Sequence, residues 1–220
     1  MNEQYFDKID TSNKAYILGF LYADGYINLI NNTIVLSLSY EDKDILEDIR
    51  TEIGCDKPLF ENYYTNKEDR VERHMISLIL ASKYMCESIQ KWGLVPNKTF
   101  TIEFPDFLQD ELVSHFIRGY FDGDGCACIC KDSSKKIPGK RFITSIMSSY
   151  KFCIGMQKFL KEKQDINFNV SHPSKKDIRN GLIRSFSNKE NKKFMNYIYK
   201  DADLFMKRKY NKYKEFFEIY

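Results

Sequence analysis

Nothing in this 220-residue chain is apolar for long enough to cross a membrane, although 43% of it is hydrophobic. Its first residues, Met-Asn-Glu-Gln-Tyr-Phe-Asp, lack the cationic and then apolar build of a secretory leader. Six cysteines without an export signal point to free thiols in a reducing intracellular compartment, cytoplasmic or organellar. Histidine is scarce, and His74, His115 and His172 are too scattered to form a metal-ligand pair, which argues against histidine-based metal chemistry. Zinc is no better served. Cys126, Cys128 and Cys130 alternate along one expected strand, where three same-face residues cannot wrap a tetrahedral ion, and no fourth ligand is near.

A large excess of one charge is missing too, since the formal net charge is only +3. That balance hides a division. Residues 1–110 carry 11 Lys+Arg against 19 Asp+Glu, and residues 111–220 carry 23 against 12. The halves are therefore −8 and +11, a signal for an anionic partner held mostly by the second half.

What is present, twice, is one short stretch. Residues 17–25 read Ile-Leu-Gly-Phe-Leu-Tyr-Ala-Asp-Gly and residues 117–125 read Ile-Arg-Gly-Tyr-Phe-Asp-Gly-Asp-Gly. Gly19 falls on Gly119, Ala23 on Gly123 and Asp24 on Asp124, always one hundred residues apart, which indicates a duplication. Each copy reads as a helix closed by Gly in the left-handed position. Small residues four apart (Gly19 with Ala23, Gly119 with Gly123) leave a bare stripe on one face, where a second helix could approach to backbone contact. If the stripes meet, Asp24 and Asp124 arrive side by side at helix C-termini, where the dipole is already negative. A divalent cation would relieve both conflicts. A single copy would read rather as a helix ending in an ordinary Asp-Gly turn; two in register favour the paired site.

Around these stretches the same element order recurs. In the first half it runs helix 13–24 behind an N-cap at Thr11-Ser12, hairpin 26–30 with 33–40, helix 42–53, hairpin 58–65 with 72–80, and helix 82–92. In the second half it runs helix 112–122, hairpin 126–131 with 141–147, helix 150–163, hairpin 166–171 with 181–187, and helix 190–199. Residues 101–110, with Pro105, read as a linker, and a final helix over 203–220 has no counterpart in the first half.

The paired stretches resemble the motif of LAGLIDADG homing endonucleases in their single-chain, two-repeat form. The resemblance covers nearly the whole chain and implies an α+β fold of tandem αββαββα repeats, residues 1–104 and 105–220. Two four-stranded antiparallel sheets would flank a two-helix interface. It also implies a monomeric, sequence-specific endonuclease that cuts duplex DNA with Mg2+ or Mn2+, Asp24 and Asp124 being the metal ligands. Tyr22 departs from the motif's usual first acidic residue, whereas Asp122 keeps it. The family keeps a basic residue near the metal, which maps to Lys98 and, within the run Lys207-Arg208-Lys209, to Lys209. No protein nucleophile is needed for such two-metal hydrolysis, and none is evident. The chain lacks the Cys or Ser start and the His-Asn end of a splicing intein, so it resembles an intron-encoded or free-standing member. Two other readings stay open: an intron RNA maturase of the same fold, and a non-catalytic DNA-binding regulator.

Strand parity selects the residues expected to read DNA: Asn28, Asn32, Ser37, Ser39 and Arg73 in the first half, and Cys128, Cys130, Arg141 and Arg184 in the second. Phosphate contacts are expected from the basic hairpin tip with Lys131, Lys135, Lys136, Lys140 and Arg141, from the loop with Lys175, Lys176 and Arg179, and from the run at 207–209.

Overall fold

The structure is a computed structural model and describes residues 1–132 and 139–219. Thr11 caps α1 (Ser12–Asp24), its hydroxyl accepting from the Lys14 N–H at 3.2 Å. The chain then passes into β1 (Gly25–Asn28), turns through Asn32 at φ 50°, and returns as β2 (Thr33–Ser39). A 3-10 turn at Tyr40–Asp42 leads into α2 (Lys43–Glu52). Next come β3 (Phe60–Thr65), β4 (Glu72–Ala81) and α3 (Lys83–Lys91), the last capped by Ser82. The second half repeats the order as α4 (Asp110–Asp124), β5 (Gly125–Asp132), β6 (Gly139–Ser149), α5 (Tyr150–Gln164), β7 (Asn169–Ser171), β8 (Asn180–Ser185) and α6 (Asn188–Tyr199), and α7 (Lys207–Ile219) follows.

The strands form two four-stranded antiparallel sheets, ordered β1-β2-β4-β3 and β5-β6-β8-β7. Each sheet has one covered face. In the first, Ile27, Ile34, Leu36, Leu38, Ile76 and Leu78 are buried by period-2 alternation beneath α2 and α3. In the second, Phe142, Thr144, Ile146 and Ile183 play that part. There Asn191 of α6 is wholly buried and donates to the Phe142 and Ser185 carbonyls at 2.6 and 3.1 Å, pinning helix to sheet. Among the described residues, no α-helix covers the opposite sheet faces.

Several boundaries differ from expectation for identifiable reasons. β7 is shorter than 166–171 because Ile166 and Phe168 turn inward and are buried. α7 starts at Lys207 rather than 203, since Leu204 and Met206 are first tucked into the core. Gly25 and Gly125 are not left-handed: their φ values are −70° and −76°, so each helix runs directly into a strand. Glycine is required there by space. A methyl on Gly25 would lie 2.4 Å from the Leu21 carbonyl oxygen, and one on Gly125 equally close to that of Phe121.

Candidate active site

The stripes of small residues do meet. A methyl on Gly19 would sit 2.0 Å from the Phe116 carbonyl oxygen, and one on Gly119 would sit 1.9 Å from that of Tyr16. α1 and α4 are thus in backbone contact along their length. At the far end, a methyl on Gly123 would meet Ala23 Cβ at 2.5 Å and Asp24 Oδ2 at 2.8 Å. The close approach brings Asp24 and Asp124 together at the last residue of each helix.

Two lysines answer the helix-end conflict. Lys98 Nζ donates to the Ala23 and Gly25 carbonyls at 3.0 and 2.7 Å. Lys209 Nζ donates to those of Phe121, Asp122 and Gly123 at 2.7, 2.7 and 2.9 Å. Each ammonium gathers carbonyls at a helix C-terminus and places a positive charge beside a carboxylate. Of the run at 207–209, Lys209 is therefore the residue that points inward. Lys207 pairs with Asp44 at 2.9 Å and Arg208 with Asp42 at 3.0 Å, which corrects the expectation that all three serve phosphate.

The carboxylates remain strained in charge. Loss of water, followed by the charge of Asp124, pushes Asp24 up to about 6, against the pull of Lys209 and Lys98. Desolvation also raises Asp124, which opens to solvent, with Lys98 opposing. Burial brings Lys209 down to about 8 and lowers Lys98 as well. A cleft of about 190 Å³ adjoins the pair, lined by Asp124, Lys98, Tyr22, Tyr120, Ser148 and the outward-facing Met147.

Among the described residues, no group of three or more His, Cys, Asp or Glu could enclose a metal ion. Two hard carboxylates that ionise with reluctance suit instead a cation such as Mg2+, which keeps several waters and takes further oxygens from a bound phosphate. Burial, with Cys130 beside it, pushes the Cys128 thiol up to about 12.

Around this centre lies a buried polar network that the sequence reading did not anticipate. Asp122 is fully buried and accepts from the Tyr16 and Tyr199 hydroxyls at 2.9 and 2.7 Å and from the Met206 N–H at 2.8 Å. It thereby ties the segment that delivers Lys209 to the end of α4. Tyr22, at the matching place in α1, donates to the Trp92 carbonyl and so grips the segment that leads to Lys98. Gly93, at φ +85°, is obligatory beside it, because a methyl there would lie 2.3 Å from the Tyr22 hydroxyl. Arg118 is also fully buried, donating to the Leu204 and Ile198 carbonyls at 2.9 and 2.8 Å, with its guanidinium over the Tyr16 ring. One signal was available: Arg118 is the single basic residue in a motif that is otherwise apolar up to its acidic end.

The residues selected by strand parity divide. Ser37, Ser39 and Arg73 face outward on the first sheet, and Cys128, Cys130, Arg141 and Arg184 on the second. Asn28 also faces outward, but its Oδ1 accepts from Ile30 and Asn31 and so builds the turn. Asn32 lies at that exposed turn. Lys140 pairs with Lys131 in register with the covered-face residue Phe142, so its parity is that of the helix side, at the hairpin end. Lys135 and Lys136 lie outside the described residues.

No family model and no curated protein matches the chain by sequence. Solved structures do match. The I-LtrWI LAGLIDADG homing endonuclease bound to target DNA is 14% identical with a TM-score of 0.59, over 99% of this chain and 90% of that one. The homing endonuclease I-WcaI bound to its DNA recognition sequence is 17% identical with a TM-score of 0.65, over 92% and 87%. Full-length DUF199/WhiA from Thermatoga maritima is 17% identical with a TM-score of 0.55, over 100% of this chain and 66% of that one. At such identities the likeness is one of fold, and the fold is that of the LAGLIDADG homing endonucleases in its single-chain, two-motif form.

Proposed function

We propose that this chain is a sequence-specific endonuclease that makes a double-strand break in duplex DNA with Mg2+ or Mn2+ as cofactor. The observation that carries the reading is the meeting of Asp24 and Asp124 at the ends of two helices in backbone contact, each helix running straight into a sheet with one uncovered face. Two carboxylates related by a repeat suit a substrate whose two strands are themselves related by a twofold. Both come from one chain, so the reading needs no partner subunit and is monomeric. The structures that share the fold include homing endonucleases bound to DNA.

Asp24 and Asp124 would hold the cation, which when bound supplies Lewis acidity and an activated water. Lys98 and Lys209 keep the helix ends electrically quiet and fix where the carboxylates stand. Their ammoniums also leave the centre less repulsive to an incoming phosphodiester. Tyr22 and Asp122 hold the segments that carry those lysines.

The test is cleavage of duplexes drawn from the flanks of the gene, where a homing enzyme finds its target, with Mg2+ present. Wild type is expected to cut both strands, and Asp24→Asn or Asp124→Asn to bind without double-strand cleavage. Unchanged cleavage by either variant would remove the metal site. Binding without cleavage by wild type would favour the regulator.

A further inference from the structure

The two repeats differ behind their carboxylates. Gly25 pairs with Leu36 in the first sheet and Gly125 with Ile146 in the second, so Leu38 of β2 corresponds to Ser148 of β6. One helical turn before the motif carboxylates, Phe20 of α1 corresponds to Tyr120 of α4. Two buried hydroxyls of the second repeat thus stand where the first has only hydrocarbon. They act together, since Tyr120 Oη and Ser148 Oγ are 2.8 Å apart. The Tyr120 hydroxyl also hydrogen-bonds the Asp124 carboxylate, one turn on along the same helix face, and all three residues line one cleft. An ionised carboxylate only accepts, so the phenol gives it its single proton and takes one from Ser148.

The fold itself does not need these hydroxyls, for Phe20 and Leu38 are buried at the matching places. What they serve is the carboxylate. Asp124 opens to solvent, so packing alone leaves its oxygens free to turn. Tyr120 is 3% exposed, with its ring stacked on Phe152 at a centroid distance of 4.3 Å, and cannot follow such a turn. We propose that Tyr120, backed by Ser148, is a positioning residue that holds one oxygen of Asp124 and leaves the other for the cation. This rests on the nuclease reading, in which Asp124 is a metal ligand. A donor behind a ligating carboxylate fixes its orientation, and loss of such a partner lowers metal affinity by about 10- to 100-fold.

The experiment titrates Mg2+ at constant ionic strength against the urea midpoint of the full chain without DNA, and then against cleavage. Tyr120→Phe recreates the side chain found at position 20 of the other repeat. It is expected to bind target DNA in EDTA as wild type does, and to need about 10- to 100-fold more Mg2+ before its midpoint rises and before it cuts. Ser148→Ala should move the onset in the same direction by less, and should add nothing in a Tyr120→Phe background, because the relay is already broken at the phenol. Thr144→Val deletes another buried hydroxyl of β6, one bonded to Asn191, and should leave the Mg2+ requirement unchanged. A wild-type requirement in Tyr120→Phe would overturn the proposal, as would equal shifts in Tyr120→Phe and Thr144→Val, or a Ser148→Ala effect that adds in full. If Tyr120→Phe does not fold, Ser148→Ala decides alone, and an unshifted onset there overturns the proposal equally. A wild type that Mg2+ neither stabilises nor activates would instead overturn the nuclease reading, and the proposal with it.

Discussion

Replacing Asp24 by asparagine, the change that should end cleavage, should also make the metal-free protein more stable. An ordinary Asp titrates near 3.8, whereas loss of water at the helix end, with Asp124 beside it, lifts Asp24 to about 6. Between those values the folded protein holds the proton that the unfolded chain has released. As pH rises through this window the unfolded state ionises first, and folding loses stability until the native carboxyl has ionised too. The gap corresponds to at most about 3 kcal/mol at 1.36 kcal/mol per pH unit. Partial exposure to water reduces this to an expected figure of about 1–2 kcal/mol. Asparagine is nearly isosteric and neutral throughout, so the gain from Asp24→Asn should be full above pH 7, shrink between pH 6 and 4, and vanish below. Urea unfolding in EDTA at pH 8 and pH 4 measures it as a rise in midpoint at unchanged m. Adding Mg2+ at pH 8 should stabilise wild type and not the variant. A variant no more stable than wild type at pH 8 in EDTA would refute the claim that this carboxylate is held against its electrostatic preference.

Gly119→Ala should destabilise by about 3 kcal/mol or more in urea unfolding, because the added methyl meets the Tyr16 carbonyl at 1.9 Å and backbone cannot yield as a side chain does. Asp122→Ala should cost about 3–5 kcal/mol in the same assay, since it strands the Tyr16 and Tyr199 hydroxyls and the Met206 N–H in the interior. DNA binding followed across a salt series should give the same slope for Arg208→Gln as for wild type, because Arg208 is engaged with Asp42. Lys175→Gln with Lys176→Gln should lower that slope by roughly one to two units, and an undiminished slope would remove this loop from the phosphate contacts.

Most of the fold was legible because two kinds of pattern point the same way. The hundred-residue repeat sets the element order, and period-2 alternation in 33–40 and 72–80 sets which face is covered. Both follow from local chemistry that a linear sequence preserves. The helix-to-strand junctions were misread at Gly25 and Gly125 because glycine serves two ends, left-handed freedom and close approach, and sequence alone does not say which. The pairing of Asp24 with Asp124 was legible through Gly19 and Gly119, whose bare faces have one economical use. The partners of Asp122 were not. Tyr16, Tyr199 and Met206 are up to 106 positions away, and hydroxyls that satisfy a buried carboxylate look the same in sequence as any other tyrosine.

The charge division shows how far net charge carries. The +11 of the second half is not all available to an external anion, for three of its cations, at 207–209, turn toward the protein itself. Lys207 and Arg208 meet Asp44 and Asp42 of the acidic first half, and Lys209 lies under the end of α4. Part of the asymmetry is thus internal: carboxylates at the start of α2 and cations at the start of α7 face one another across the two repeats. The surface ion pairs contribute little stability one by one. Their effect is positional, because they flank Lys209 on the segment that Asp122 anchors from the other side. A feature that in sequence looks like a phosphate-binding run is, in the fold, the support of a single buried lysine. Exposed loop lysines such as Lys175 and Lys176 are then the candidates for phosphate.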